Sequence, residues 1–213
     1  MNLLSVFGPE QPVARRCLEF IRRSVRSDGS WPIDTNLSVW LTTASASALT
    51  EAGELSSADA SRIRRWLLAA QHRKVHPYTG ADPGGWAWTD LPGGVPDADD
   101  TAGAILALLA LGERGGAGEG DAVGERGGSG KAGGPVADGI RWLLRLQNSD
   151  GGWPTFCRGW GRLPFDRSAP DLTAHALRAI RAFDPEGRDP AYVRAARAGL
   201  EHLRQGWKDS GPW

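Results

Sequence analysis

Apolar residues recur at three- and four-residue steps in four Arg- and Leu-rich runs, residues 14–26, 61–71, 138–147 and 192–205. Ile140, Leu143 and Leu144, with Gln147 at the next step, show the pattern, which is that of one face of a helix. Three further runs are rich in Ala and Leu and carry little charge. They begin at Pro32-Ile33-Asp34-Thr35, at Pro96 to Thr101, and at Pro170-Asp171-Leu172-Thr173. Asp or Thr ahead of an apolar run, with Pro beside it, marks a helix entry. The Arg-rich runs therefore read as outer, half-solvated helices and the Ala-rich runs as inner, buried ones. A Gly/Trp turn follows each outer run, at Trp31, Trp86, Trp153 and Trp213, and these tryptophans are 55, 67 and 60 residues apart. Outer and inner helices alternating at such a period predict an all-α fold, an α/α toroid. About seven helices are too few to close one, so an incomplete or open barrel is expected, as a single domain over residues 1–213.

Composition changes this picture in one place. Residues 113–134 are almost entirely Gly, Ala, Glu and Arg, too polar to bury the surface that ordering requires. They read as a flexible insertion between helices. Elsewhere the chain is balanced: 25 Lys and Arg against 25 Asp and Glu give zero formal net charge. Nothing there favours nucleic acid or an acidic surface. Met1 to Phe7 lacks the basic start and apolar stretch of a signal peptide. No apolar run approaches the roughly 20 residues of a membrane span. Cys17 and Cys157, the two cysteines, stand far apart, which suits a reducing cytosol. The expected location is cytoplasmic.

The candidate chemistry sits at the second inner helix. Val95-Pro96-Asp97-Ala98-Asp99-Asp100-Thr101-Ala102 puts three carboxylates within four residues, just before an apolar run. Parallel inner helices would gather their N-termini at one end, with Asp34, Asp97, Asp99, Asp100 and Asp171. Aligning Thr101-Ala102 with Thr173-Ala174 sets Asp99 opposite Asp171, with His175 one turn deeper. Like charges held close cannot all ionise, so at least one of these acids should keep its proton. Helix N-termini oppose this by favouring the conjugate base, and a hydrogen bond from His175 would strengthen the acid further. Two readings fit these residues alone. In one the acids are ordinary helix caps and His175 is a satisfied helix histidine. In the other the cluster holds a proton donor.

Several segments resemble those of one family. Gln147-Asn148-Ser149-Asp150-Gly151-Gly152-Trp153 resembles the Gln-Trp repeat of squalene-hopene and oxidosqualene cyclases. Asp97-Ala98-Asp99-Asp100-Thr101-Ala102 is similar to the acid motif of class II terpene cyclases, especially the squalene-hopene type. Gly84-Gly85-Trp86-Ala87-Trp88 resembles that family's Gly-Gly-aromatic-Ala-aromatic segment, and Asp171-Leu172-Thr173-Ala174-His175 its histidine segment. Ile33-Asp34-Thr35 resembles a Trp-Asp-Thr segment, with Ile33 in place of Trp. The resemblance implies that Asp99 protonates the terminal double bond of a linear polyprenyl substrate such as squalene. It further implies that Asp97 and Asp100 tune Asp99, and that His175 orients and acidifies it. Rings then close through carbocations facing aromatic rings; Trp88 is the first candidate, then Trp86 and Trp160. Asp34 and Asp171 would line the same end. The resemblance calls for no metal or organic cofactor.

The likeness covers only the acid-bearing half. Family members are longer and enclose their substrate between two helical barrels. Val25 stands where the first repeat should have Gln, and in the last repeat Gln is displaced to Gln205. A half pocket admits water, which quenches carbocations. The chain then reads as a fragment, as a split-enzyme subunit that meets a second-half subunit, or as a half that assembles as a homodimer, and the family implies peripheral membrane contact to collect substrate. The alternative is a non-catalytic repeat protein that binds isoprenoid lipid or a partner subunit. A protein prenyltransferase β subunit, which shares the fold class, would need a zinc site of Asp, Cys and His, and neither cysteine sits in an Asp-x-Cys pair.

Overall fold

The computed structural model describes residues 8, 10–31, 36–77, 79–112, 133–156 and 166–210, the last two without their side chains. The chain divides into two compact units, residues 1–37 and 38–213. Residues 113–132 of the expected insertion lie outside the described residues; Gly134 is already the N-cap of the following helix.

The first unit contains helix α1 (Pro12–Ser24). The Gln11 side chain caps it, accepting from the backbone N–H of Val13 and Ala14 at 2.6 and 2.9 Å. Asp28 then tightens a turn by accepting from Ser30. That turn delivers the Trp31 indole N–H to the carbonyl of Ile21 at 2.8 Å.

In the second unit the helices are α2 (Ser38–Ala52), α3 (Ser57–Ala70), α4 (Ala98–Ala110), α5 (Pro135–Leu146), α6 (Pro170–Phe183) and α7 (Pro190–Ser210). A two-residue ribbon, β1 (Trp153–Pro154) antiparallel to β2 (Ser168–Ala169), pairs Trp153 with Ala169 and Pro154 with Ser168. The class is all-α, as expected, and α2, α4 and α6 are the inner helices. Helix α4 packs against α2 on one side and α6 on the other. Ala98, Ala102, Ala104 and Ala107 are fully buried in it, and such small side chains let neighbouring backbones approach closely. Helices α1, α5 and α7 begin earlier than the Arg-rich runs suggest, because Pro12, Pro135 and Pro190 open them. Proline suits the first helical turn, where its missing N–H costs nothing. Two helices depart from the simple outer and inner scheme. Outer α5 buries seven residues, Val136 to Leu146, whereas inner α2 buries only Val39, Thr43 and Ala46 and leaves Trp40, Leu41 and Leu49 exposed.

The two complete repeats are closed by the same set of bonds. Gln71 Nε2 donates to the carbonyls of Gly84 and Pro135, both at 2.8 Å. Gln147 Nε2 donates to Gly151 at 2.8 Å and to Ala195 at 2.9 Å. The buried indole of Trp86 donates to Leu67, and that of Trp153 to Leu143, at 2.7 and 2.8 Å. The backbone N–H groups of Trp86 and Trp153 donate to Thr101 Oγ1 and Thr173 Oγ1, each at 3.0 Å. Each turn thus ties together the outer helix before it, the inner helix after it and the next outer helix. These polar groups lie inside the protein, where unpaired amides would each cost about 1–3 kcal/mol.

Glycines let the turns come this close. At Gly151, φ is +89° and an added Cβ would lie 2.4 Å from the Ala198 carbonyl oxygen of α7. Gly93 has φ +100° with open space around it. Gly93→Ala should therefore cost about 1 kcal/mol from backbone strain alone. Gly151→Ala adds a clash with backbone and should cost roughly 2–4 kcal/mol. Urea denaturation of the two variants measures the difference; equal losses would show that the turn does not pack as described.

Candidate active site

Helix α4 is placed by its entry. Asp97 is its N-cap in extended backbone, and its Oδ1 accepts from the Asp100 N–H at 2.8 Å. The Asp97 N–H donates to Trp86 at 3.1 Å, the Ala98 N–H donates to Thr155 at 3.1 Å, and Asp97 bridges Phe156. The acid segment is therefore held by both neighbouring turns before the helix starts. Asp97 and Asp100 turn into the protein and are buried. Asp99, between them, turns out.

Asp99 meets the first turn of α2 and the second turn of α6. His175 Nδ1 lies 2.6 Å from Asp99 Oδ1, and the Trp40 indole N–H donates to Asp99 Oδ2 at 3.2 Å. The side chain of Asp99 is 40% exposed and that of His175 25%. The registration comes from the repeat: Asp99 and Asp171 are each the second residue of their helix, with Thr101 and Thr173 two positions on bonded to the preceding tryptophans. The N-termini of α2, α4 and α6 thus meet at one end. Gly103, one turn beyond Asp99, makes room for this: a Cβ there would sit 3.2 Å from Thr43 Oγ1 and 3.7 Å from His175 Cε1.

Crowding should keep at least one of the three acids protonated, and the electrostatics decide which. Burial, and then the charge of Asp100, holds the Asp97 carboxyl well above the ordinary carboxylate range. Burial likewise pushes Asp100 up to about 6, and its Oδ1 has no partner among the described residues. Asp99 moves the other way. The hydrogen bond from His175 lowers it, against a smaller opposing effect of burial. The retained proton belongs to the buried pair, and Asp99 rests as a carboxylate receiving the Nδ1–H of His175. Such a carboxyl is a strong acid once it is protonated.

The aromatic candidates separate. Trp86 is fully buried with its N–H spent on Leu67; it is a packing residue of the repeat and cannot face a ligand, which corrects the sequence reading. Trp88 is half-buried and meets Phe156 edge to face, centroids 6.4 Å apart at 74°. The Trp88 carbonyl accepts from the N–H groups of Val39 and Trp40, so this segment is fastened to the start of α2. Asp171 is exposed in the first turn of α6. Trp160 and Asp34 lie outside the described residues. Sequence reasoning missed Trp40, Phe156 and Gly103. Trp40 shared the third position of an inner helix's first turn with Asp100, a register that could have drawn notice. Among the described residues no group of three or more His, Cys, Asp or Glu is arranged to hold a metal ion.

The all-α fold agrees with what the chain is similar to. The model of the squalene-hopene cyclase C-terminal domain matches residues 37–213, and the chain belongs to that family. It is 26% identical to enfumafungin synthase efuA of Hormonema carpetanum, over 99% of this chain and 17% of that protein. It is 28% identical to squalene–hopene cyclase of Alicyclobacillus acidocaldarius, over 87% of this chain and 30% of that enzyme. It is likewise 28% identical to sporulenol synthase of Bacillus subtilis, over 95% of this chain and 32% of that protein. The chain spans about a third or less of the length of the curated relatives it matches.

The buried acid pair makes stability depend on pH. The Asp100 pKa is raised on folding, so ionising it costs stability as pH rises from about 4 to about 6, and the cost is constant above that. Asp100→Asn should not change stability below pH 4, should stabilise increasingly up to pH 6, and should level off at up to about 3 kcal/mol. Thermal melts across pH 3.5–8 read this; a gain that does not depend on pH would contradict it.

Proposed function

We propose that this chain is the acid-bearing part of a class II terpene cyclase, which starts cyclisation of a linear isoprenoid by protonating its terminal alkene. The 2.6 Å contact between His175 Nδ1 and Asp99 Oδ1 carries the reading. Asp99 is the proton donor. A long apolar substrate covering the exposed carboxyl removes water from it, and desolvation raises its pKa so that it takes up a proton. The proton then passes to the less substituted alkene carbon, leaving a tertiary cation on the substrate and a carboxylate on Asp99. The His175 Nδ1–H stabilises that carboxylate, an interaction stronger in the product of proton transfer than before it. Later alkenes attack in turn, the last cation loses a proton or takes up water, and Asp99 is reprotonated from solvent. Asp97 stays neutral, which spares the site a third negative charge. Trp88, edge-on to Phe156, is the best-placed aromatic to face a cation, and Trp160, Asp34 and Asp171 remain candidates for the same end.

The substrate class proposed is a linear polyprenyl chain; the names of several relatives include squalene. A second copy of the chain or a second-half subunit would complete the cavity. No helix among the described residues is long and apolar enough to cross a membrane, and peripheral contact from the cytoplasmic side would suffice to collect substrate.

Incubation with squalene and shorter polyprenyl substrates in D2O, followed by mass spectrometry, tests this. Cyclic product should carry the one deuterium delivered by Asp99, and Asp99→Asn should form none. The 40% exposure of Asp99 favours a second reading, a repeat protein that binds isoprenoid without turnover. Binding of equal strength in wild type and Asp99→Asn, with no product from either, would decide for that reading and against the first.

A further inference from the structure

Asp99 has two oxygens, and His175 engages only one of them. The other, Oδ2, accepts the indole N–H of Trp40 at 3.2 Å. Trp40 is not a core residue: it is 45% exposed, while Val39, Thr43 and Ala46 form the buried face of α2. Its backbone is nonetheless fixed from two sides. Its N–H donates to the Trp88 carbonyl at 3.3 Å, and its carbonyl accepts from Thr43 Oγ1 at 2.9 Å. Ser38, two residues earlier, is locked to Asp90 at 2.6 Å. An exposed indole on so rigid a mount, with its one polar atom on the acid, calls for an explanation that packing does not supply.

Building on the reading of Asp99 as proton donor, we propose that Trp40 is its second positioning residue, fixing the carboxyl and steadying the oxygen that gives up the proton. Oδ1 is taken by the His175 N–H, so the acidic proton sits on Oδ2. A protonated Oδ2 still has a lone pair for the indole. When the O–H bond breaks, both bonding electrons stay on Oδ2, and the N–H···O contact becomes a charge-assisted one. Trp40 therefore gains strength during proton transfer, as a group that accelerates the step must. It also holds the carboxyl at both oxygens, which restrains its rotation before substrate arrives.

Among the described residues the groups that act on Asp99 are few. Asp97 and Asp100 share its helix, His175 comes from α6, and α2 contributes the indole. The only acid of α2, Glu51, lies at its far end. Of these, Asp99 alone is hydrogen-bonded to the Trp40 indole, so Asp99→Asn separates its titration from those of the others.

The test is NMR of the full chain labelled with 15N, with Trp40→Phe identifying the Trp40 signal among the ten tryptophans. The Trp40 Nε1–H resonance should shift with the titration of the Asp99 carboxyl and lose that shift in Asp99→Asn. In Trp40→Phe the Asp99 midpoint should rise, and the other indole signals, staying in place, show that the fold survives. With a turned-over substrate the same variant should lose about threefold to tenfold in kcat with KM unchanged. Its alkaline limb should move to higher pH, because the weaker acid keeps its proton longer. A Trp40 signal that is flat through the Asp99 titration, or that titrates equally in Asp99→Asn, overturns the proposal. The NMR result does not depend on turnover. A coupled indole without product condemns the cyclase reading and leaves the Trp40 contact standing, whereas product with an uncoupled indole does the reverse.

Discussion

The site depends on three inner helices starting at the same level, and hydrogen bonds of the repeat turns set that level. Thr101 and Thr173 each accept the backbone N–H of the preceding tryptophan at 3.0 Å. Gln71 and Gln147 each reach the next outer helix. With the turns locked alike, the second residue of α4 faces the first turn of α2 and the second turn of α6. A helix advances about 1.5 Å per residue, so an error of one residue in that registration would separate Asp99 from His175. The structural repeat and the acid site are thus one construction.

Three acids in four residues would be wasteful if all did the same thing. The structure gives them two jobs. Asp97 and Asp100 turn inward, where burial raises both, and Asp97 caps the helix through the Asp100 N–H. Asp99 turns outward to a histidine that lowers it. The buried pair costs stability above pH 4 and limits the negative charge at the mouth. The outward acid is made strong by its partner and stays mostly ionised in the open site. On the proposed function, loading it with a proton requires loss of water, which the apolar substrate would supply. On that function, proton donation is thereby coupled to occupancy.

Much of this was legible in the sequence because it rests on period and punctuation. The Arg-rich and Ala-rich runs, the Gly/Trp turns and the Pro-Asp entries gave the helices and their alternation. The Thr-Ala alignment put Asp99 in register with Asp171 and His175 one turn deeper. The protonation states were not legible. Spacing shows that carboxylates are crowded, but which of them faces the core depends on the helix phase fixed by the Asp97 cap. Trp86 was misread because its sequence neighbours do not reveal that its N–H is spent on Leu67, a residue 19 positions earlier. Trp40 was missed because its contact with Asp99 spans 59 residues and joins two helices whose rotation only packing decides.

The central claim is that His175 makes Asp99 a strong acid. Site-resolved 13C NMR of the aspartate carboxyls, in wild type and in His175→Phe, measures this directly. The account predicts an Asp99 midpoint below the ordinary carboxylate value of about 3.9 in the wild type, rising when the imidazole is removed. A wild-type midpoint at or above that value, or one that His175→Phe leaves in place, would contradict it.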